Sequence, residues 1–264
     1  MRGFILAAGL GTRLRPFTDT TPKPLVEIGG EPLIERAIAQ LVAAGVTEIG
    51  INVFHLGEQI IERLGSGRNL GAHLTFFDER PEVLGTGGGL KNAESFLRAD
   101  GNGPFLLVNA DVWHSFDLRQ VIAAHQPHHL ATLAVHRTPR RPELHTVSCA
   151  IEGPGSGRHA GHIVQLAGKP QSVLPGDFMA IYTGVAVYST RLLDWLPADK
   201  VSGLVSHGLI PAMERGERVA WVEPEGAWFD CGTHAEVLRA SAHALKLRGT
   251  LAREALGLEA FALA

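Results

Sequence analysis

Cysteine is scarce in this chain: Cys149 and Cys231 are the only two among 264 residues. That argues against a disulfide scaffold and fits a reducing compartment. Both read as small buried hydrophobes. No apolar run reaches bilayer-spanning length. The apolar stretch at 4–8 is too brief for a signal sequence before polar loop follows, so a cytoplasmic location is expected. A surplus of charge is missing as well. The formal net charge of −3 leaves no electrostatic footprint for nucleic acid or an acidic membrane, and neither is expected as a partner. Two nucleotide-binding signatures are absent too. No Gly-Lys-Ser/Thr tripeptide occurs, which excludes a P-loop. The position where a dinucleotide fingerprint needs its third small residue holds Leu14, which argues against a dehydrogenase. There is no internal repeat and no linker that would divide the chain.

What is present concentrates near the start. Residues 7–24 (AAGLGTRLRPFTDTTPKP) place Gly9, Gly11, Arg13, Arg15 and Lys23 in one loop after an apolar strand at 3–7. Glycines let backbone N–H groups approach an anion, and the cations neutralise its charge. Pro22 and Pro24 fix φ on either side of Lys23, presenting its ammonium from a stiffened backbone. Such a loop suits a polyphosphate.

The 45% apolar and 19% charged composition is that of a globular protein able to bury a substantial core. Pro32 opens an apolar stripe at helical spacing through Leu33, Ile34, Ala37, Ile38, Leu41 and Val42, and Gly45 stops it. Strands are expected at 49–54, 73–77 and 105–108, and helices at 58–64 and 90–97. This alternation implies βαβ units and a Rossmann-like, mixed but mostly parallel α/β sheet flanked by helices. Ligands then bind at the carboxyl ends of the strands. The second half is less regular. Strands at 131–136, 146–151, 162–166 and 181–188, several antiparallel, suggest a smaller lobe, and helices are expected at 206–215 and 234–247. The organisation expected is one domain over 1–250, in two halves at 1–125 and 126–250, and a tail at 251–264 reading as a short helix.

Three further segments carry chemistry. The strand-like run 105–111 (FLLVNAD) ends in Asp111, placed either to bind Mg²⁺ or to cap the following segment. Segment 228–233 (WFDCGT) supplies Asp230, a second carboxylate that alternatively caps a helix begun after Gly232 and Thr233. Residues 84–89 (LGTGGG) open a helix with four glycines, leaving room for a flat base against backbone, or simply forming a glycine-rich helix start. Thirteen histidines invite a metal hypothesis. Most, including His125, His128, His129, His145 and His159, read as loop residues without the paired helix spacing of zinc sites. His114, shortly after Asp111, is the one that merits testing.

Taken together, Gly9–Pro16, Thr18 and 22–24 match the pattern Gly-x-Gly-Thr-Arg-Leu-x-Pro, Thr, Pro-Lys-Pro. The chain resembles the sugar-1-phosphate nucleotidylyltransferases in this, over roughly residues 1–239. The same opening occurs in cytidylyltransferases acting on phosphocholine, so it marks reaction class more firmly than substrate. The resemblance implies the nucleotide-diphospho-sugar transferase fold, with 1–125 as its nucleotide-binding half and 126–250 as its sugar-binding half. It assigns Arg13 and Lys23 to catalysis, and Ala8, Gly9, Gly11, Thr12, Arg13, Gly85 and Thr86 to the nucleotide. Asp111 and Asp230 hold Mg²⁺, and Lys169, Thr183 and Gly184 contact the sugar. Some members read uracil or thymine with a Gln five residues before the first glycine of the tract. Arg80 stands there, a residue able to read guanine. The Glu of a Glu-Lys-Pro sugar element is replaced by Gly168. Asn52, Val53 and His55 fall at a strand end near the ligands, without an assigned role.

The resemblance further implies a nucleoside triphosphate and a sugar 1-phosphate as partners, in a monomer or small homo-oligomer. Segments 108–113 and 84–89 and the short length are most similar to N-acetylmuramate-1-phosphate uridylyltransferases. Mannose- and heptose-1-phosphate guanylyltransferases are close competitors. The length leads us to expect no β-helix acetyltransferase domain. A catalytically inactive regulatory subunit is the alternative of a different class.

Overall fold

The computed structural model describes residues 1–137, 147–151, 160–167, 178–198 and 201–255. In chain order, the first half holds β1 (Arg2–Leu6), β2 (Glu27–Ile28), β3 (Glu31–Pro32), α1 (Leu33–Ala43), β4 (Glu48–Val53), α2 (Gly57–Leu64), β5 (His73–Asp78), α3 (Gly85–Asn92), α4 (Glu94–Leu97), β6 (Pro104–Asn109), β7 (Val112–His114) and α5 (Leu118–Ala124). There follow β8 (His129–His136), β9 (Val147–Ile151), β10 (Ala160–Leu166), β11 (Phe178–Ser189), α6 (Ile210–Glu214), β12 (Arg218–Val222), β13 (Trp228–Asp230) and α7 (His234–Ala255).

One nine-stranded sheet in the order β5-β4-β1-β6-β11-β8-β12-β10-β9 runs through both halves. Its first four strands are parallel. Beyond β6 the pairings are antiparallel except for β8 with β12. Mixed pairing was expected, and the parallel part is β5-β4-β1-β6 plus that one pair. Alternate residues of the central strands enter opposite cores, as a period of two requires. Phe4, Phe105, Leu107, Ala186 and Tyr188 face one, and Ile5, Leu106, Val108, Val185 and Val187 the other. Leu90, Leu97, Leu209 and Ile210 from α3, α4 and the α6 region cover the first face. Ile34, Ile38 and Leu41 of α1, Ile60 and Leu64 of α2 and Val121 of α5 cover the second. A third cluster joins Leu14 of the opening loop to Trp113, Cys231, Ala240 and Ala244.

Some expected boundaries move. Pro32 precedes the first helical residue, Leu33. The helix expected at 90–97 begins at Gly85 and breaks at Ala93. That at 206–215 starts with a π-helical turn, Leu204–Leu209, before α6. The helix expected at 234–247 continues to Ala255, into the region expected as a separate tail.

The fold prepares a site through register. Leu6, Asn52 and Asn109 pair across β4, β1 and β6 at their carboxyl ends. This is the crevice where α/β sheets bind ligands.

Candidate active site

A cleft opens there, lined by Leu6, Ala8, Gly9, Asn52, Glu79, Val83, Gly85, Thr86, Asn109 and Asp111. The opening loop forms one wall. It folds back on itself because Gly11 adopts a left-handed φ of 64°, and a Cβ there would lie 3.0 Å from Thr18 Cγ2 and 3.1 Å from Lys23 Cβ. Thr18 Oγ1 donates to the Gly11 carbonyl at 2.8 Å, and Thr18 O lies 3.1 Å from His55 Nε2. These contacts press the Lys23 stem against the glycine turn.

Lys23 reaches Asp111, with Nζ to Oδ2 at 2.7 Å, and the two side chains are 8% and 38% exposed. Arg13 reaches Asp230, with Nη1 to Oδ2 at 3.6 Å, and these are 59% and 18% exposed. Asp111 lies on the turn between β6 and β7, and Asp230 ends β13. The β13–β7 register sets Asp230 opposite Val112, and the Cys231 N–H donates to the Asp111 carbonyl at 3.0 Å. Two aspartates over a hundred residues apart in sequence thus sit on neighbouring backbone. The Cys231 thiol senses the same cluster. Burial pushes it up to about 12; the Lys23 ammonium opposes that rise, while Asp111 and Asp230 add to it. Asp230 is therefore not a helix cap; that position is taken by Thr233, whose Oγ1 accepts from Glu236 N–H at 3.4 Å.

The donor set suits Mg²⁺, which takes one or two carboxylates and completes its octahedron with water and substrate phosphates. Among the described residues there is no group of three or more His, Cys, Asp or Glu side chains that would cage an ion. An ion held by Asp111 and Asp230 would complete its shell with water and substrate oxygens.

The second wall is the glycine tract. Gly87 and Gly88 N–H groups donate to the Ser202 carbonyl at 2.8 and 3.3 Å, and Thr86 Oγ1 accepts from Leu204 N–H at 2.9 Å. A Cβ on Gly85 would lie 2.6 Å from Ser202 O, and one on Gly89 would lie 2.6 Å from Glu79 Oε1. A side chain would thus strike backbone at position 85 and the Glu79 side chain at position 89. Of the tract, Gly85 and Thr86 line the cleft.

The chain matches the Nucleotidyl transferase family over residues 2–246. It is 34% identical over 249 residues to the N-acetylmuramate alpha-1-phosphate uridylyltransferase of Neisseria meningitidis serogroup B, covering 92% of this chain and 97% of that protein. Identity to the mannose-1-phosphate guanyltransferase of Gibberella zeae is 33%, over 90% of this chain and 62% of the relative's length. A Bacillus anthracis crystal structure assigned as a glucose-1-phosphate thymidylyltransferase superposes with a TM-score of 0.72 at 27% identity, covering 93% of this chain and 95% of that one. The chain belongs to the nucleotidyl transferase family.

Read as a nucleotidyl transferase, the molecule brings some expected residues together and leaves others apart. Ala8, Gly9, Gly85, Thr86 and Asp111 line the cleft; Gly11, Thr12, Arg13 and Lys23 of the opening loop, and Asp230 paired with Arg13, are not among its lining residues. Lys169 lies outside the described residues, as do His145 and His159. Thr183 is buried, its Oγ1 donating to Ala134 O at 2.8 Å and its own carbonyl accepting from Trp228 Nε1 at 2.8 Å. Gly184, with φ of 80°, lies in a β11 irregularity between Tyr182 and Ala186, where a Cβ would come within 2.7 Å of Asn109 Nδ2. Gly184 therefore packs against Asn109, which lines the cleft, whereas Thr183 is not among the lining residues.

Arg80 is exposed and paired with Asp78, and it is not among the residues that line the cleft. His114 is buried and stacked on Phe116 at 3.9 Å. Burial first, and the Arg36 charge second, push it down to about 3, so it is a neutral structural group. His129 begins β8 and is buried, unlike the loop residue expected.

Sequence reasoning missed Glu79 and gave Asn52 no role. Both are buried in the cleft wall. Glu79 follows β5 directly, and that position, the carboxyl end of a parallel strand, was the available signal.

Proposed function

We propose that this nucleotidyltransferase condenses a nucleoside triphosphate with a sugar 1-phosphate, giving a nucleotide sugar and pyrophosphate. The reading is supported above all by Lys23 and Arg13 facing Asp111 and Asp230 on neighbouring backbone beside a glycine-walled cleft. A sugar 1-phosphate oxygen attacks the α-phosphorus in line, the bond from that phosphorus to the β-phosphate bridging oxygen breaks, and pyrophosphate leaves. No enzyme nucleophile is needed, because the attacking phosphate is already an anion. The protein's work is to align two repelling anions and neutralise charge as it develops.

Asp111 and Asp230 would hold Mg²⁺, which when bound supplies charge neutralisation at the phosphates. Lys23 and a cation compete for the Asp111 carboxylate, and a bound triphosphate offers the ammonium other anionic partners. Arg13, mostly exposed, is free to swing onto the leaving pyrophosphate. Ala8, Gly9, Gly85 and Thr86 present backbone to the nucleotide. The whole-length match to the Neisseria relative favours UTP and an N-acetylmuramate-like hexosamine 1-phosphate. GTP with mannose or heptose 1-phosphate is the second reading, its mannose form favoured by the fungal relative. Retention of Lys23, Asp111 and Asp230 weighs against an inactive regulatory subunit. A cytoplasmic site of action fits these substrates.

The test is pyrophosphate release with Mg²⁺ across UTP, GTP, CTP, ATP and dTTP against N-acetylmuramate, N-acetylglucosamine, mannose, glucose and heptose 1-phosphates. Release with UTP and N-acetylmuramate 1-phosphate is expected. Release with GTP and mannose or heptose 1-phosphate would replace the first reading by the second. No release from any pair would overturn the proposal.

A further inference from the structure

Along the cleft wall runs a largely buried chain of three hydrogen bonds that the reaction scheme does not use. Asn52, 2% exposed, accepts from the Ala7 N–H through Oδ1 at 2.8 Å and donates through Nδ2 to Glu79 Oε1 at 2.7 Å. Glu79, 3% exposed, accepts the Leu84 N–H at its other oxygen at 2.8 Å. Ala7 begins the phosphate-loop wall, and Leu84 directly precedes Gly85 and Thr86 in the opposite wall. Helix α3 passes close over the pair: a Cβ on Gly89 would lie 2.6 Å from Glu79 Oε1 and 2.8 Å from Asn52 Nδ2.

We infer that Asn52 and Glu79 are a positioning pair that sets the spacing between the two walls of the nucleotide cleft. The inference rests on the proposal that this cleft binds a nucleoside triphosphate. Three features support it. The bridged amides belong to opposite walls, so the distance between walls is set through these two side chains. Each side chain also lines the cleft itself, immediately behind the expected nucleotide contacts. Finally, the polarity is fully specified. Ala7 and Leu84 both present donors, so the two side chains between them must together supply two outward acceptors and one internal donor. An amide and a carboxylate do so in either order. Two carboxylates lack the internal donor unless one takes up a proton, and two amides leave a donor facing a donor. A buried donor or acceptor without its partner is costly.

The test is therefore a swap. Asn52→Asp sets two carboxylates against each other. Glu79→Gln leaves either Asn52 Nδ2 or Leu84 N–H facing an amide nitrogen. The double variant N52D/E79Q restores every bond with reversed polarity: residue 52 accepts from Ala7 N–H and from the new amide, whose oxygen accepts Leu84 N–H. Binding of mant-labelled UTP and mant-labelled GTP is read by fluorescence, with KM and kcat for the best substrate pair and thermal unfolding alongside. Each single variant should weaken nucleotide binding about tenfold or more, with KM for the nucleotide rising more than kcat falls. The double should return to within about threefold of the unmodified protein, a coupling that independent sites do not show. Single variants that bind normally, or lose only thermal stability, would overturn the inference. So would a folded double variant that binds as weakly as the singles. Should a single variant fail to fold, the double decides alone, recovery of binding supporting the pair and its absence refuting it. Failure of the unmodified protein to bind either nucleotide would count against the proposed function, whereas failure of the swap in a protein that binds counts against the pair only.

Discussion

The two cation–carboxylate pairs of the site are alike in composition and opposite in circumstance. Lys23 is almost fully buried, gripped between prolines and a glycine turn, and meets Asp111 at 2.7 Å. Arg13 stands largely in solvent and meets Asp230 at 3.6 Å, with its guanidinium lying over Gly232. A short pair of low exposure is positioned before substrate arrives. A long, exposed one is screened and contributes little to stability, so its cation is free to follow a ligand. We read the first pair as the fixed point of the site and the second as its adjustable arm.

That contrast breaks most readily at Lys23. Lys23→Ala should lower kcat about a hundredfold or more, several kcal/mol of barrier, with the fold intact. Pyrophosphate release alongside circular dichroism measures both, and near-normal turnover would sink the assignment. Asp111→Asn should match that rate loss while also lowering thermal stability, because it leaves the buried ammonium without its carboxylate. If the melting temperature is unchanged, the pair does not hold Lys23 in the folded state. Arg13→Ala should be milder, roughly tenfold, and should fall chiefly on KM for the nucleotide with stability unchanged. A larger loss than at Lys23 would reverse the comparison.

Away from the site the effects are smaller. Burial pushes His114 down to about 3, and His125 and His129 to about 4. All three stay neutral in the folded chain while the unfolded chain protonates near 6.5, their ordinary value. The unfolded state binds more protons between these values, so stability should be fully present above pH 6.5 and fall as pH drops toward 4. Urea midpoints across that range check it; a midpoint rising on acidification would contradict the burial of these rings. Finally, Cys231, pushed up to about 12, should resist iodoacetamide at pH 8 in the folded protein. Rapid labelling there would mean that the cluster beneath the opening loop is more open than described.

The legible parts of this molecule were those written in contiguous residues. The opening loop, the alternation of strand and helix to residue 108, and the carboxylates Asp111 and Asp230 each carry a local pattern. Elements read from period alone were harder. The strand Arg218–Val222 and the helix Leu118–Ala124 are short, and only their partners reveal them: β8 on one side of the strand and Asp117, whose carboxylate accepts the Arg119 N–H, at the head of the helix. The reason for glycine at position 85 was not legible, since the Ser202 carbonyl that demands it arrives from over a hundred residues away. Glu79 and the Thr183 hydroxyl likewise have roles set by residues distant in sequence, Asn52 and Ala134, which no local spacing discloses.

The central claim is that Asp111, Asp230, Lys23 and Arg13 serve one metal-bound triphosphate. A crystal structure with Mg²⁺ and a non-hydrolysable triphosphate of the preferred base tests it most directly. The account predicts one ion contacting both aspartates and the phosphates, with the Lys23 ammonium moved from Asp111 onto the nucleotide. An ion bound away from either aspartate, or a triphosphate lying outside the cleft between Gly9 and Gly85, would contradict it.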